Sequence, residues 1–340
     1  MGYDNLKLEK GMYRQTGMSF TQVLESLDPS ENYRGTALEG TDAFQRQLKR
    51  FGIRVKGPGS STVEKFFHTL DSAVLFPEYI SRSVRQGMEE NNILPNMVAT
   101  VTNIDSMDYR SIYSVPTDDQ KTLTYLAEGT QIPATTVQTR EKLVKLHKRG
   151  RMLVASYEAL RFQKLDLFSV MLRQIGAYIQ KMHVKDAIDV LTDGDSTDDF
   201  FCYFVEDEPF NGTAGTLTYK DLLVLWSKFD PFSMNTMLCD GATLYKLLEI
   251  PELQNPLTGL NFQGTGKLST PLGAQLFRTG NLPYSGILAM DNRYALEMIR
   301  AGDVMVEYDK LIDRQLERAA ITTICGFGKI YDEAIRFLRV

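Results

Sequence analysis

The residues that could do chemistry are few and poorly spaced for it. Only three histidines occur in 340 residues, His68, His147 and His183. The three cysteines, Cys202, Cys239 and Cys325, are odd in number, far apart and form no CxxC pair. Neither a disulfide framework nor a structural zinc site is expected from them; buried, inert thiols in a reducing compartment are. A GxSxG elbow and an HExxH pair are both absent. The nearest approach to a phosphate loop is Gly264-Thr265-Gly266-Lys267-Leu268. Leu268 stands where Ser or Thr must hold magnesium, and Asn261 where the first glycine belongs. Gly57-Pro58-Gly59 runs into Ser60-Ser61-Thr62 and lacks the third glycine of a dinucleotide loop. Asp193, Asp195, Asp198 and Asp199 cluster carboxylates, but not at the alternate positions of a calcium loop, and read as a polar loop after a long helix. No cofactor or metal is expected. A dispersed Glu/Asp acid–base pair needs no local motif, so an enzyme stays open as an alternative.

Basic residues form two groups. Arg140, Lys142, Lys145, Lys148, Arg149 and Arg151 face only Glu141 in their stretch, and Arg46, Lys49, Arg50, Arg54 and Lys56 lie in the leading segment. Both groups are candidates for phosphate contact. For the first, a solvated ribbon face or ion pairs to an acidic neighbour is the preferred reading. The whole chain carries 38 Lys and Arg against 43 Asp and Glu, a net charge of −5, which argues against a surface that grips nucleic acid everywhere. Apolar residues at 43% and charged residues at 24% describe an ordinary globular chain. No run of 18 apolar residues suggests a membrane span, the first residues do not read as a secretory signal, and Leu6 is wrong for myristoylation at Gly2.

The elements that would position any such group follow from periodicity. Residues 1–72 carry short helical signals separated by Gly, Pro and Ser. Ser19-Phe20-Thr21-Gln22 and Ser61-Thr62-Val63-Glu64 read as capping boxes. Thr41 caps a helix that Gly52 ends, with Phe44, Leu48 and Phe51 on one stripe. Helices this short are marginal alone, so this segment reads as an arm ordered by lying on something else. Pro77 opens a helix reaching Asn91. Strand-like patterns follow over 99–115. Between Tyr125 and Tyr157, apolar residues such as Val144, Leu146, Met152 and Val154 sit among polar ones, as in a two-stranded ribbon. An isolated ribbon is barely stable and must dock elsewhere or be mobile. The strongest signal is Phe168, Met171, Leu172, Ile175, Ile179 and Met182, a helical stripe within 166–191 that Thr192-Asp193-Gly194 ends. At 1.5 Å per residue that helix is about 40 Å long. Helix over 218–229, strand over 235–240, helix over 241–249, a buried strand over 287–290 and extended segments over 303–308 and 318–330 complete the chain.

This order resembles the major capsid proteins of tailed bacteriophages, the Hong Kong 97 type of shell fold. Tyr125-Leu126-Ala127-Glu128-Gly129 with Ile132-Pro133 is similar to the tip of that family's extended loop. Leu153-Val154-Ala155-Ser156 and Glu158-Ala159-Leu160 resemble its return strand and the start of its spine helix, and Asp189-Val190-Leu191-Thr192-Asp193-Gly194-Asp195 the end of that helix. Met237-Leu238-Cys239-Asp240 with Leu244, Leu247 and Leu248 resembles a strand and helix of the axial lobe. Thr270-Pro271-Leu272-Gly273 and the run from Ile321 to Cys325 resemble later segments. The likeness covers residues 73–340, and its joint order is what is specific.

The resemblance implies an α+β fold with an N-terminal arm (1–72), a peripheral-domain lead-in (73–98), an extended β-hairpin loop with flanking strands (99–158), a spine helix (159–192), an axial α/β domain (193–295), peripheral strands (296–328) and a return to the axial domain (329–340). It implies a non-enzymatic subunit of an icosahedral virion head, assembled in the bacterial host cytoplasm from hexamers and pentamers. Expected partners are a portal protein, a separate scaffolding protein or none, and loosely held double-stranded DNA, with no membrane. Contacts between subunits then fall to Phe44, Leu48 and Phe51, to Tyr125, Glu128, Ile132 and Pro133, and to Arg140, Lys142, Lys145, Arg149 and Arg151. Cross-linked members join a loop lysine to a neighbour's asparagine with the help of a glutamate. Here those positions fall at Ile132, near Ala319 and near Gly326, so no covalent cross-link is expected. An encapsulin-type compartment shell and a cytosolic α/β enzyme are the alternatives.

Overall fold

The computed structural model describes residues 3–14, 18–90, 92–106, 108–110, 112–113, 125, 128, 138–139, 143–194, 203–204, 216–254 and 272–340. Helices α1 (Phe20–Leu27), α2 (Ala43–Arg50) and α3 (Leu70–Glu90) come first. Strands β1 (Thr100–Asn103), β2 (Ile112–Tyr113), β3 (Gln138–Thr139) and β4 (Leu146–Ser156) follow. Next are α4 (Tyr157–Phe162), the long α5 (Leu165–Asp193), β5 (Tyr203–Phe204), α6 (Tyr219–Ser227), β6 (Thr236–Cys239), α7 (Gly241–Leu248) and α8 (Pro251–Gln254). The last elements are β7 (Gln275–Arg278), β8 (Gly286–Met290), β9 (Leu296–Arg300), β10 (Met305–Leu311), β11 (Leu316–Lys329) and β12 (Ile335–Arg339). Two compact units result: Met1–Asn91 with Arg149–Gln180 and Asp303–Thr323, and Asn92–Lys148 with Lys181–Gly302 and Ile324–Val340.

The first unit corrects the reading of residues 1–72 as an arm ordered by another molecule. Phe20, Leu24, Phe44, Leu48 and Phe66 share one core with Phe76, Tyr79, Phe168 and Leu172 of α3 and α5. Each short helix is marginal alone, but every large apolar side chain it buries adds roughly 1.5–3 kcal/mol, and the body of the same chain supplies the surface. Local punctuation is mostly as expected. Ser19 and Gln22 form the capping box of α1. The cap of α2 is Asp42, one residue after Thr41, paired with Gln45. Gly52 takes the left-handed backbone (φ 62°) just past that helix. Residues 62–67 differ: they make a 3-10 helix (Val63–Phe67) without a side-chain cap.

Pro77 lies inside α3 and does not open it, because Thr69 and Ser72 exchange hydrogen bonds that start the helix earlier. Pro77 offers no N–H to the preceding turn. In the next rung the Tyr13 hydroxyl donates to the Val74 carbonyl at 2.8 Å and accepts from the Glu78 N–H at 3.1 Å. The Tyr13 ring stacks on Phe20 at 4.2 Å. The disturbed turn thus becomes an anchor for the leading segment. Tyr13→Phe is expected to lower stability by about 1–3 kcal/mol, since both backbone groups lose their partner in a buried place. The readout is a lower urea midpoint with an unchanged slope; an unchanged midpoint would mean that α3 recloses the rung itself.

In this unit β10 pairs antiparallel with β11, from Met305↔Thr322 to Leu311↔Leu316, and β4 also pairs with β11. The expected ribbon is therefore divided. β2 and β3 do form a two-stranded ladder at Ile112↔Thr139 and Tyr113↔Gln138, but residues 146–156 belong to a larger sheet. Period-two alternation reports one buried face and does not say which strand lies alongside. Leu153 and Ala155 pack on the core formed by α3 and α5.

In the second unit β1 runs parallel to β9, and β9 antiparallel to the end of β11. A second sheet has the order β5-β12-β8-β6-β7, with β6 and β8 buried throughout. Val184, Ala187, Ile188 and Leu191 of α5 join Leu238, Leu288 and Phe337 in one core.

Candidate assembly surfaces

The side chains that fasten the leading segment are mostly turned inward. Arg82 of α3 reaches Glu78 (2.9 Å), Asp42 (2.6 Å) and the Thr21 hydroxyl (2.9 Å), and its guanidinium lies 4.3 Å from the Phe44 ring centre. Arg85 joins Glu78 and Asp303. Arg46 is fully buried; it donates to the Asp28 carboxylate (2.7 Å), Ser30 (2.9 Å) and the Thr41 carbonyl (2.6 Å), and lies over the Tyr33 ring at 4.4 Å. Arg50 donates to the Leu6 carbonyl and covers the Phe51 ring. Two expected contact residues are thereby corrected. Phe44 and Leu48 are 3% and 6% exposed, held within their own molecule, and Arg46 presents nothing to a phosphate. Phe51 is half-buried.

The other candidates fare differently. Tyr125, Glu128, Lys145 and Arg151 are exposed, and Arg149 is half-buried. Ile132, Pro133, Arg140 and Lys142 lie outside the described residues, as do Cys202, Asp195, Asp198, Asp199 and the run from Gly264 to Leu268. Ala319 and Gly326 are buried in β11.

Apolar side chains remain exposed on α5 and on the sheet. On α5, Phe168, Leu172 and Ile179 are buried, while Leu167, Val170, Met171 and Tyr178 are exposed. Met171, read as part of the buried stripe, is on the outer side. The signal was available: α5 carries apolar residues on two faces, whereas a solvated helix is polar on one. On the sheet, Met152 and Val154 of β4 and Met305 of β10 are exposed as well.

Groups with reactive potential are held in unreactive states. Burial, then the neighbouring Asp240 charge, pushes the Cys239 thiol up to about 12, and Cys325 is buried too. Among the described residues no cluster of three His, Cys, Asp or Glu could hold a metal ion. Asp291, fully buried, accepts from the Ser233 N–H (3.0 Å), the Asn235 amide (2.9 Å) and the Arg293 guanidinium (2.9 and 2.7 Å). Burial opposes its ionisation, but the bonds from Arg293 and Ser233 outweigh it and hold its pKa below the ordinary 3.8. A lowered carboxyl pKa stabilises the fold above the unfolded value, and that gain fades as pH falls through the folded one. Asp291→Asn is thus expected to cost about 2 kcal/mol at pH 7. The deficit should close as the pH drops below 3.8, as seen by comparing urea midpoints of the two proteins across that range.

No protein-family model matches the sequence, and no curated protein matches it. Solved structures do. The virus-like particle from Pyrococcus furiosus is 14% identical, with 78% of this chain and 99% of that one covered at a TM-score of 0.51. The capsid of the cyanophage P-SCSP1u is 14% identical, with 73% and 88% covered at 0.51. The capsid of an empty GTA particle is 12% identical, with 72% and 88% covered at 0.51. The chain shares its fold with these proteins, and that α+β fold is the Hong Kong 97 type which the order of its elements resembles.

Proposed function

We propose that this chain is a structural subunit of an icosahedral bacteriophage head. It self-assembles into hexamers and pentamers around the lobe at 193–295 and encloses double-stranded DNA without doing chemistry of its own. The observation that carries this reading is the fold: chains named as capsids or a virus-like particle are matched over 88–99% of their length. The exposed apolar stripe Leu167, Val170, Met171 and Tyr178 on α5 supports it, because a solitary molecule would keep such a surface polar. A net charge of −5 suits loose contact with DNA, since each phosphate gripped would add salt-dependent affinity. A portal, with a separate scaffolding protein or none, belongs to the same reading, as do the virion as its location and Phe51, Tyr125, Glu128, Ile132, Pro133, Arg140, Lys142, Lys145, Arg149 and Arg151 as contacts between subunits. No helix among the described residues is long and apolar enough to cross a membrane.

Sedimentation and negative-stain microscopy of the expressed protein are expected to show closed particles of megadalton mass. Boiled in denaturing detergent, they should release single 38.5 kDa chains, because Ile132 stands where a cross-linking lysine would. A compact monomer at high concentration would overturn the proposal, and a covalent ladder would overturn the second expectation. Particles filled with protein cargo in place of DNA would favour a compartment shell.

A further inference from the structure

The glycine-rich turn of the leading segment gathers cations without acids. Ser61 closes it: its N–H donates to the Arg54 carbonyl at 2.8 Å, and its hydroxyl accepts from the Arg54 N–H at 3.1 Å. The Ser60 N–H donates to the Gly57 carbonyl at 2.9 Å, and Gly57 takes the left-handed backbone (φ 83°) that the tight turn requires. Pro58 and Gly59 stand exposed at the tip. A guanidinium nitrogen of Arg54 lies 3.6 Å from where a Cβ on Gly59 would stand, and the Lys164 ammonium donates to the Pro58 carbonyl at 3.3 Å. Two cations thus flank one tip, exposed Lys56 leads into it, and Lys65 donates to the Gly52 carbonyl close by. Among the described residues none of these four cations has a carboxylate in ion-pair reach. Exposed arginines elsewhere find one, as Arg34 finds Glu31 and Arg314 finds Asp313. Of the acids nearest in sequence, Glu64 is engaged by Arg161 at 3.5 Å, and Asp166 is exposed without an ion pair to Lys164. Two hydrogen-bonding groups of the turn are open as well. Among the described residues nothing accepts from the Gly59 N–H, and the Ser60 hydroxyl, on a residue 8% exposed, has no partner.

We infer that this turn, with Arg54, Lys56 and Lys164 around its tip, binds backbone phosphate of the double-stranded DNA that the shell encloses. This rests on the shell reading and deepens it by naming where the DNA is touched. Like charges gathered on one turn repel each other, and a bound anion removes that cost. The planar fork of Arg54 and an open N–H on a glycine turn are the donors that a phosphate oxyanion takes. Cations on both sides of the tip suit a strand that carries a charge on every nucleotide. The contacts are few, short of the roughly 6–10 that make affinity steeply salt-dependent, so the DNA stays loosely held. The leading segment is therefore split: Arg46 serves its own core, while Arg54 and Lys56 remain on the surface.

The test uses the full chain, kept unassembled at low concentration, and a fluorescent DNA duplex whose binding is followed by anisotropy across a salt series. Arg54→Gln and Lys164→Gln are each expected to lower the slope of log affinity against log salt by about 0.9, and together to weaken binding roughly thirtyfold at about 0.15 M salt. Both should keep the wild-type melt, because neither breaks an ion pair. Arg34→Gln removes an equal charge from the same unit and should leave the slope unchanged. Unchanged slopes in Arg54→Gln and Lys164→Gln, or an equal loss in Arg34→Gln, would overturn the inference. Displacement of the duplex by poly-glutamate as readily as by unlabelled DNA would overturn it in favour of an acidic protein. Displacement by inorganic phosphate at matched ionic strength would overturn it in favour of free phosphate. Assembly is read separately, by sedimentation at high concentration: wild-type protein that binds the duplex but never assembles would overturn the shell reading and leave the phosphate-binding turn standing.

Discussion

Gly176→Leu is expected to lower the stability of the first unit by about 4 kcal/mol or more, a loss reserved for substitutions that force a core apart. The helices α3 and α5 cross with their backbones in contact. A Cβ at Gly176 would lie 2.1 Å from the Val84 carbonyl oxygen, and one at Gly87 would lie 2.0 Å from that of Arg173. The relation is reciprocal: on each helix the glycine sits three residues after the carbonyl that meets the other's. Backbone cannot rotate aside as a side chain can, so the helices must separate by more than an ångström. That gap strips close contacts from Phe168, Leu172, Tyr79 and Ile80 around the crossing. Gly176→Ala should cost less but still clearly destabilise. Gly280→Ala, where nothing stands within 4 Å and the backbone is ordinary, should stay within about 0.5 kcal/mol. Urea unfolding of the three proteins checks this, and equal midpoints for Gly176→Leu and Gly280→Ala would show that the helices do not touch.

Arg46→Ala is expected to cost about 3–5 kcal/mol, the range for removing one partner of a buried ion pair. Its guanidinium and the Asp28 carboxylate are 0% and 2% exposed, so the carboxylate would be left buried beside a hole. The Tyr33 hydroxyl would still donate to Asp28 at 2.6 Å, but a neutral donor does not balance a charge. Arg46→Lys should recover little. A single ammonium cannot reach Asp28, Ser30 and the Thr41 carbonyl together, whereas the planar fork does. Proteolysis of the leading segment gives an independent readout: cleavage within residues 28–42 should accelerate in Arg46→Ala before the rest of the chain unfolds. Wild-type stability in Arg46→Ala would mean that Asp28 reaches water.

Much of the fold was legible because it is written in local chemistry. The capping box at Ser19 and Gln22, the left-handed Gly52 and the end of α5 at Gly194 each depend on a few adjacent residues. The strands over 286–290 and 316–329 announce themselves by apolar or alternating runs. What failed had a shared cause. Pro77 reads as a helix start on its own, and only the Tyr13 hydroxyl, 64 positions earlier, shows how an interior proline is accommodated. Arg46 reads as a candidate for phosphate contact until Asp28 and Ser30 close around it. Gly87 and Gly176 carry no signal along the chain, and only the crossing shows that any side chain would be in the way. Of the residues read as contacts between subunits, Tyr125, Glu128, Lys145 and Arg151 are exposed, whereas Phe44 and Leu48 are buried in their own molecule.

By itself, then, the sequence determined which segments become helix or strand, where most of them stop, and the order that marks the shell-type fold, because those follow from spacing along a few turns or a few pleats. The tertiary structure alone decided which apolar faces close on their own molecule and which stay open. Both kinds of face have the same composition, and only the geometry of distant segments says that Phe44 meets Arg82 while Val170 meets nothing of its own core.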